Sequence, residues 1–323
     1  MRAFQIQAFG EPVNLTTLAE PQPQSPPAPG HIRLKIQACG LNFADLLMLE
    51  GRYQERPQLP FILGMEPAGT VQAIGEGVTG LQVGDRVAVF HSHGGLAEIG
   101  EFPADHCHLL PPSMPIDVAA GFLIAYGTSH LVLAQRANLQ AGETLLVLGA
   151  SGGIGLTAVE IGKRMGATVI ACARGADKLD IAAKAGADHL IDSESGDLRE
   201  QVKALGGADV VYDPVGGELF KQALRACNPL ARIIPVGFAS GDVPQIPANI
   251  LLVKNLSVIG FYWAGYLKFA PELLQDSLKT LFQWYENGDL APHISHRLPL
   301  ERVSEALELL RSRKSTGKVV VTM

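Results

Sequence analysis

The rhythm of hydrophobic and polar positions changes along the chain. Through residues 1–120 the apolar runs are short and are broken repeatedly by Gly and Pro, as in HIRLKIQACG, EPAGTVQAIGEGV and QVGDRVAVF. Runs of this kind, bounded by turn residues, predict strands, with EGVTG and VGD as the turns between them. This part reads as a β-rich, partly open barrel. PQPQSPPAPG (21–30) reads as a surface loop, too short to link two domains.

From residue 143 strand-like and helix-like segments alternate. ETLLVLGA predicts a buried strand, and GIGLTAVEIGKRMGA a helix ending at Gly166. TVIACA, HLI, DVVYDPVGG, RIIPVGF and LSVIGFYW continue the strands, while ADKLDIAAKAGA, SGDLREQVKALGG and ELFKQALRACN supply helices. Six strands with helical crossovers predict an α/β domain built on a doubly wound parallel sheet. Beyond residue 266 come two helices, LLQDSLKTLFQWYENG and LERVSEALELLRSRK, and a last strand, KVVVTM. That strand has no place in the parallel sheet and is expected to return to the first domain. The predicted division is 1–122, completed by 267–323, and 123–266.

Composition narrows the function classes. The 323 residues are 47% hydrophobic and 18% charged, which fits a compact chain with a sizeable core. A formal net charge of −6 disfavours nucleic acid and anionic membrane surfaces as partners. No apolar run reaches the roughly 18 residues of a membrane span, and MRAFQIQAFGEP lacks the apolar core of a secretory signal. Cys39, Cys107, Cys172 and Cys227 are scattered without a CxxC pair, as expected of ordinary thiols in a reducing cytoplasm.

Candidate chemistry begins at GASGGIG (149–155), between a predicted strand and a predicted helix. A glycine-rich turn there lets the backbone approach a pyrophosphate at the helix N-terminus. Against the GxGxxG pattern the positions are Ala150, Gly152 and Gly155, so alanine replaces the first glycine. The next strand ends in ACARGADK (171–178), where NAD proteins place a ribose-binding carboxylate. Arg174 and Lys178 stand there instead, which fits the 2′-phosphate of NADPH; a plain solvated turn is the competing reading. Asp177 reads as the only acid close by and is expected to open the following helix.

Taken together, GLNFADLLMLEGRY (40–53), LPFILGMEPAGTVQAIGEGVTGLQVGDRV (59–87), AYGTSH (125–130), VLGASGGIG, VVYDPVGG (210–217), VGFASG (236–241), KNLSVIGFYW (254–263) and KSTGKVVV (314–321) resemble the zinc-free quinone oxidoreductase branch of the medium-chain dehydrogenase/reductase superfamily. The resemblance covers essentially the whole chain. It implies a GroES-like catalytic domain, closed by C-terminal residues, together with a Rossmann domain. Where zinc dehydrogenases of the superfamily carry a ligand Cys and a ligand His, this chain has Asn42 and, in GMEPAG, Met65. An amide oxygen and a thioether replace thiolate and imidazole poorly, so a metal-free mechanism is expected. A competing metal signal, His91 and His93 in HSH with His106 and His108 in DHCH, reads as surface histidines.

By resemblance, Asn42, Asp45 and Leu46 lie near the cofactor and Thr128 near the nicotinamide and its phosphates. The phosphate turn maps to Gly152, Gly153 and Ile154, and the 2′-phosphate site to Arg174 and Lys178. Val236, Gly237, Phe238, Phe261, Tyr262 and Trp263 are implied on the nicotinamide side, with Arg313 over the cofactor. Ser193 stands where many relatives have a Tyr beside the adenosine phosphate, so cofactor choice rests on Arg174. Asn42 and Tyr53 are the polar candidates facing substrate, against capping and packing roles respectively. Asp213, before Pro214, reads as a turn former rather than an acid.

Without a Lewis acid the substrate must accept hydride readily, as quinones and activated alkenes do. The expected activity is NADPH-dependent quinone reduction. The alternatives are an enone, enal or enoyl-thioester (enoyl-CoA) reductase with Tyr53 as proton donor, or an NADPH-binding protein without turnover. The apolar LSVIGFYW edge predicts a homodimer.

Overall fold

The computed structural model describes residues 1–10, 14–18 and 25–323; residues 21–24 of the predicted surface loop lie outside them. Two compact units divide the chain: Met1–Ile124 with Pro292–Met323, and Ala125–Ala291. Residues 267–291 therefore fall in the second unit.

The first unit is built on strands β1 (Arg2–Ile6), β2 (Asn14–Thr17), β3 (His31–Leu41), β4 (Phe61–Ile62), β5 (Glu66–Ile74), β6 (Arg86–Val89), β7 (Ile99–Pro103) and β8 (Cys107–Leu109). β3 organises it. β5 pairs antiparallel along most of β3, while β7 pairs with its first half and, on the same side, a late strand with its second half. Register shifts between Arg33 and Leu34 and between Ile36 and Ala38 mark bulges, which bend a long strand around a core. Ile32, Leu34, Ile36, Val71, Val87, Val89 and Phe102 form that core. The predicted turns carry the left-handed glycines their geometry requires, Gly77 and Gly80 in EGVTG and Gly84 in VGD.

The second unit holds β9 (Thr144–Leu148), β10 (Thr168–Ala173), β11 (His189–Asp192), β12 (Ala208–Asp213), β13 (Cys227–Pro235) and β14 (Ser257–Val258). All neighbours pair parallel, in the order β11-β10-β9-β12-β13-β14. That is the Rossmann order, with the reversal beside β9. β9 is buried from Leu145 to Leu148 because helices cover both faces of the sheet. LSVIGFYW contributes only two residues to its edge strand; the chain then leaves the sheet for a short 3-10 turn at Trp263–Gly265.

After the helix Pro271–Glu286 the chain returns to the first unit, where β15 (Ile294–Pro299) and β16 (Lys318–Thr322) complete the sheet. β16 pairs antiparallel with β3, Val319 opposite Leu41, as its lack of a place in the parallel sheet predicts. No helix among the described residues is long and apolar enough to cross a membrane.

Candidate active site

In the second unit the elements converge at the carboxyl ends of the parallel strands. β9 runs into Gly149, whose left-handed φ of 60° turns the chain toward the helix Gly153–Arg164. A Cβ at Gly155 would lie 2.2 Å from the Gly149 carbonyl oxygen, so glycine there allows the helix to start against the strand end. Gly152 is the N-cap and no side chain caps the helix, which leaves the first-turn amides available to an anion. Gly152, Gly153 and Ile154 are half-buried around that turn.

The neighbouring strand ends are tied to the same place. Asp213 closes the turn after β12 by accepting from the Val215 and Gly216 amides at 2.7 and 2.9 Å. Burial pushes its carboxyl above the ordinary value while those two donors pull it back. This is the turn-forming role expected of it. The loop after β13 is stitched to this turn, Ala239 N–H donating to Pro214 and Ser240 N–H to Val215. Val236, Gly237 and Phe238 lie in that loop, and Phe238 packs against Gly216. Trp263 is buried over Gly127, where a Cβ would come within 2.8 Å of its indole nitrogen, and so sits beside Thr128. Phe261 and Tyr262 precede Trp263, on the way out from β14.

At the end of β10, Arg174 is exposed and Lys178 half-buried on the first turn of the helix Ala176–Lys184. The sequence reading overlooked an acid here. Arg174 Nε lies 3.2 Å from Glu194, and Asp192 accepts from the Gly175 amide. Both acids are distant in sequence and reach the site because β11 is parallel to β10.

In the first unit Asn42 follows the end of β3 and is the N-cap of the helix Phe43–Leu49. Its backbone N–H donates to Asp45 at 2.7 Å, which makes Asn42 and Asp45 the two ends of a capping box at the start of that helix. Lys318 Nζ donates to Asn42 Oδ1 at 2.7 Å and to Glu66 Oε2 at 2.9 Å. Asn42 Nδ2 donates to the same Glu66 oxygen at 3.1 Å, and the Ile124 amide donates to the other at 2.9 Å. Glu66 is 0% exposed and Lys318 6%. Neither was singled out by the sequence reading, although GMEPAG and TGKVVV contain them. The available signal was a lysine opening an otherwise apolar strand.

Asp45 is fully buried below this cluster, and burial raises its carboxyl to about 7. Leu46 is buried beside it, and Tyr53 is half-buried in the bend after the helix. Arg313 is exposed, in a left-handed conformation at φ 55° before β16. Of the site residues expected from sequence, Asn42, Asp45, Leu46, Tyr53 and Arg313 belong to the first unit and the others to the second.

The four histidines of HSH and DHCH are half-buried rather than on the surface. His91 Nδ1 lies 3.2 Å from His106 Nδ1, and the His91 ring packs edge-on against Phe102. Burial, with His93, His106 and His31 nearby, lowers His91 to about 4, and burial does the same to His108. Among the described residues no group of three or more His, Cys, Asp or Glu is arranged to hold a metal.

A GroES-like barrel and a six-stranded Rossmann sheet in one chain define a medium-chain dehydrogenase/reductase. The sequence matches the family described as alcohol dehydrogenase GroES-like domain over residues 28–113 and that described as zinc-binding dehydrogenase over 153–283. It is 44% identical to a quinone oxidoreductase-like protein 2 homolog of Nematostella vectensis, covering 90% of this chain and 81% of that one. It is 39% identical to quinone oxidoreductase-like protein 2 of Bos taurus, over 92% and 86% of the two chains. The Escherichia coli quinone oxidoreductase complexed with NADPH superposes with a TM-score of 0.92 at 27% identity, covering 100% of both chains. The chain belongs to the quinone oxidoreductase-like branch of the medium-chain dehydrogenase/reductase superfamily, a family of oxidoreductases.

The zinc in one family description does not fit the donors present in the first unit. Asn42 and Met65 are poor ligands, and the Glu66 oxygen beside Asn42 already accepts from Lys318 and Asn42.

Proposed function

We propose that the protein reduces quinones by direct hydride transfer from NADPH, without a metal. The observation that carries this reading is the Asn42–Glu66–Lys318 cluster, in which the buried ammonium and carboxylate are spent on each other and on the Asn42 amide. Such a site cannot stabilise an alkoxide as zinc does, so the acceptor must be one whose reduction needs no alcohol activation. A quinone is such an acceptor. The glycine turn, with its uncapped helix start, supports a pyrophosphate at Gly152, Gly153 and Ile154. Arg174 and Lys178 favour a 2′-phosphorylated dinucleotide, as do relatives solved with NADPH. Thr128, Val236, Gly237, Phe238, Phe261, Tyr262 and Trp263 are assigned to the nicotinamide side, and Arg313 to closure over the cofactor.

When bound, NADPH supplies the hydride. Asn42 orients the acceptor's oxygen, and orientation of this kind supplies much of the rate. Hydride addition to a quinone gives a hydroquinone anion, whose oxygen takes a proton from water. The experiment is a screen of quinones, enals and enoyl-CoAs with NADPH and NADH, compared by kcat/KM, on protein assayed for metals. NADPH-dependent quinone turnover that survives chelation is the expected result; stoichiometric zinc lost together with activity would overturn the reading.

Tyr53 separates this reading from enone reduction, in which the hydride leaves an enolate that must be protonated at carbon. Tyr53→Phe is expected to leave quinone turnover within several-fold of wild type. A loss of about a hundredfold with enones or enoyl-CoAs would identify Tyr53 as their acid. We also assign a homodimer joined at the β14 edge, where Leu252 and Val253 are exposed on the neighbouring helix Ala248–Lys254. A monomer by sedimentation at micromolar concentration would refute it.

A further inference from the structure

We propose that Lys318 is a positioning residue: it locks the Asn42 side chain so that one amide N–H is held on Glu66 and the other is presented to the hydride acceptor's oxygen. The inference rests on the reading of the reaction just given, and extends it to a residue outside the expected site.

Donor chemistry determines which way the Asn42 amide points. An ammonium only donates, so the atom 2.7 Å from Lys318 Nζ must be the amide oxygen. An ionised carboxylate only accepts, so the atom facing Glu66 must be the NH2 group. Both neighbours demand the same orientation, and an inverted amide would put two acceptors against Glu66 and donors against Lys318. Asn42 Nδ2 carries two hydrogens and Glu66 takes one. Asn42 is half-buried, whereas its two partners are buried, and the second hydrogen is assigned to a ligand.

The cluster is held rigidly from behind. A Cβ at Gly40 would come 2.0 Å from the Ala120 carbonyl oxygen and 3.2 Å from Glu66, so the backbone at Gly40 packs closely against both. The Lys318 alkyl chain passes 3.3 Å from where a Gly121 Cβ would stand. A lysine here could instead act as a fixed cation in the metal's place. The ion pair argues against that: Glu66 lies 2.9 Å from the ammonium and cancels its charge at any acceptor several ångströms away. What the pair transmits is orientation.

The test is a double-mutant cycle read against an amide spectrum. Lys318→Met is expected to lower kcat for a quinone by about 10- to 100-fold, below the loss for removing an oxyanion donor outright. The NADPH KM is expected to stay within about threefold, since the cycle leaves the cofactor turn untouched. In the Asn42→Ala background the same change is expected to cost less than about twofold, because the residue it positions is gone. Lys318→Arg, which keeps a donor and a charge, is expected to recover part of kcat only when Asn42 is present. If Lys318→Met does not fold, Lys318→Arg decides the matter: an equal loss in both backgrounds overturns the proposal.

The second readout needs no turnover. In wild type the two Asn42 Nδ2 protons are expected to give distinct, slowly exchanging NMR signals, assigned by their absence in Asn42→Ala. In Lys318→Arg they are expected to shift and broaden; an unchanged pair would overturn the lock. A wild-type protein that reduces no acceptor would refute the reaction, while this spectrum would still test the lock.

Discussion

At the scale of single residues, cofactor choice is a competition of charges around Arg174. Its partner in the structure is Glu194, at 3.2 Å with both side chains more than half exposed. An exposed pair of this kind is worth about 0–1 kcal/mol. A phosphate bearing nearly two charges, bound by charge-assisted hydrogen bonds of about 1.5–3 kcal/mol each, outcompetes it. Replacing Arg174 and Lys178 together with Ala is therefore expected to weaken NADPH by a few kcal/mol and leave NADH nearly unchanged. Glu194→Gln is expected to tighten NADPH by a few-fold, since it removes the internal competitor. Titration of the three proteins with both nucleotides checks this, and equal losses for NADPH and NADH would sink the assignment. The carboxylate usual in NAD proteins is missing from the end of β10, but two acids stand across the turn at β11, and only the parallel pairing reveals them.

At the scale of elements, the phosphate turn is the joint on which the second unit depends. Gly155 sits where helix and strand come closest, and a methyl group there would collide with the Gly149 carbonyl oxygen at 2.2 Å. Gly155→Ala is expected to destabilise the fold by about 1–3 kcal/mol, the usual cost of forcing volume into a packed contact. It also moves the amides of Gly153 and Ile154, so nucleotide affinity is expected to fall with stability. Thermal unfolding with and without nucleotide checks both; an unchanged Tm would show that the helix can slide away. The motif was legible in sequence because strand, turn and helix are local and continuous. The joining of β16 to β3 was legible only by elimination, since pairing across most of the chain leaves no periodic trace. LSVIGFYW shows the limit from the other side: its apolar pattern predicts a longer strand than forms, because the chain turns away to bury Trp263 over Gly127.

Across the whole molecule, buried titratable groups set how stability responds to pH. His91, His108 and His130 are each lowered to about 4, mainly by burial. An unfolded histidine titrates near 6.5. Between those values the unfolded chain binds protons that the folded chain refuses, so stability is lost as pH falls from about 6.5 toward 4. Asp45 works oppositely. Raised to about 7, it keeps a proton in the folded chain that the unfolded chain releases near 4. Its contribution is present below that value and is lost as pH rises toward 7. His93 and His293, also lowered by burial, act with the three histidines, while Glu160 and Asp213, also raised by burial, act with Asp45. Five groups outweigh three, so Tm is expected to rise between pH 4.5 and 6.5 (roughly the window between the folded and unfolded histidine values). Asp45→Asn is expected to steepen the rise by removing part of the opposing slope. A Tm that is flat or falls across the window would refute this balance of groups.

What the sequence determined by itself is whatever its local order encodes. The parallel sheet follows from alternating apolar strands and helices, the glycine turn from glycines between them, and the Asp213 turn from a carboxylate two and three residues ahead of the amides it accepts from. The absence of the usual zinc ligands at Asn42 and Met65 was equally readable, because it needs only residue identity. Tertiary structure alone decided the partners. Asn42, Glu66 and Lys318 are 24 and 252 residues apart, and their mutual bonds exist because β3, β5 and β16 bring them to one buried place. The same holds for His91 and His93, which pack against Phe102 and Phe61 respectively. Burial and charge pairing are properties of three-dimensional neighbours, and a lysine or histidine looks the same in a sequence whether it faces water or a carboxylate.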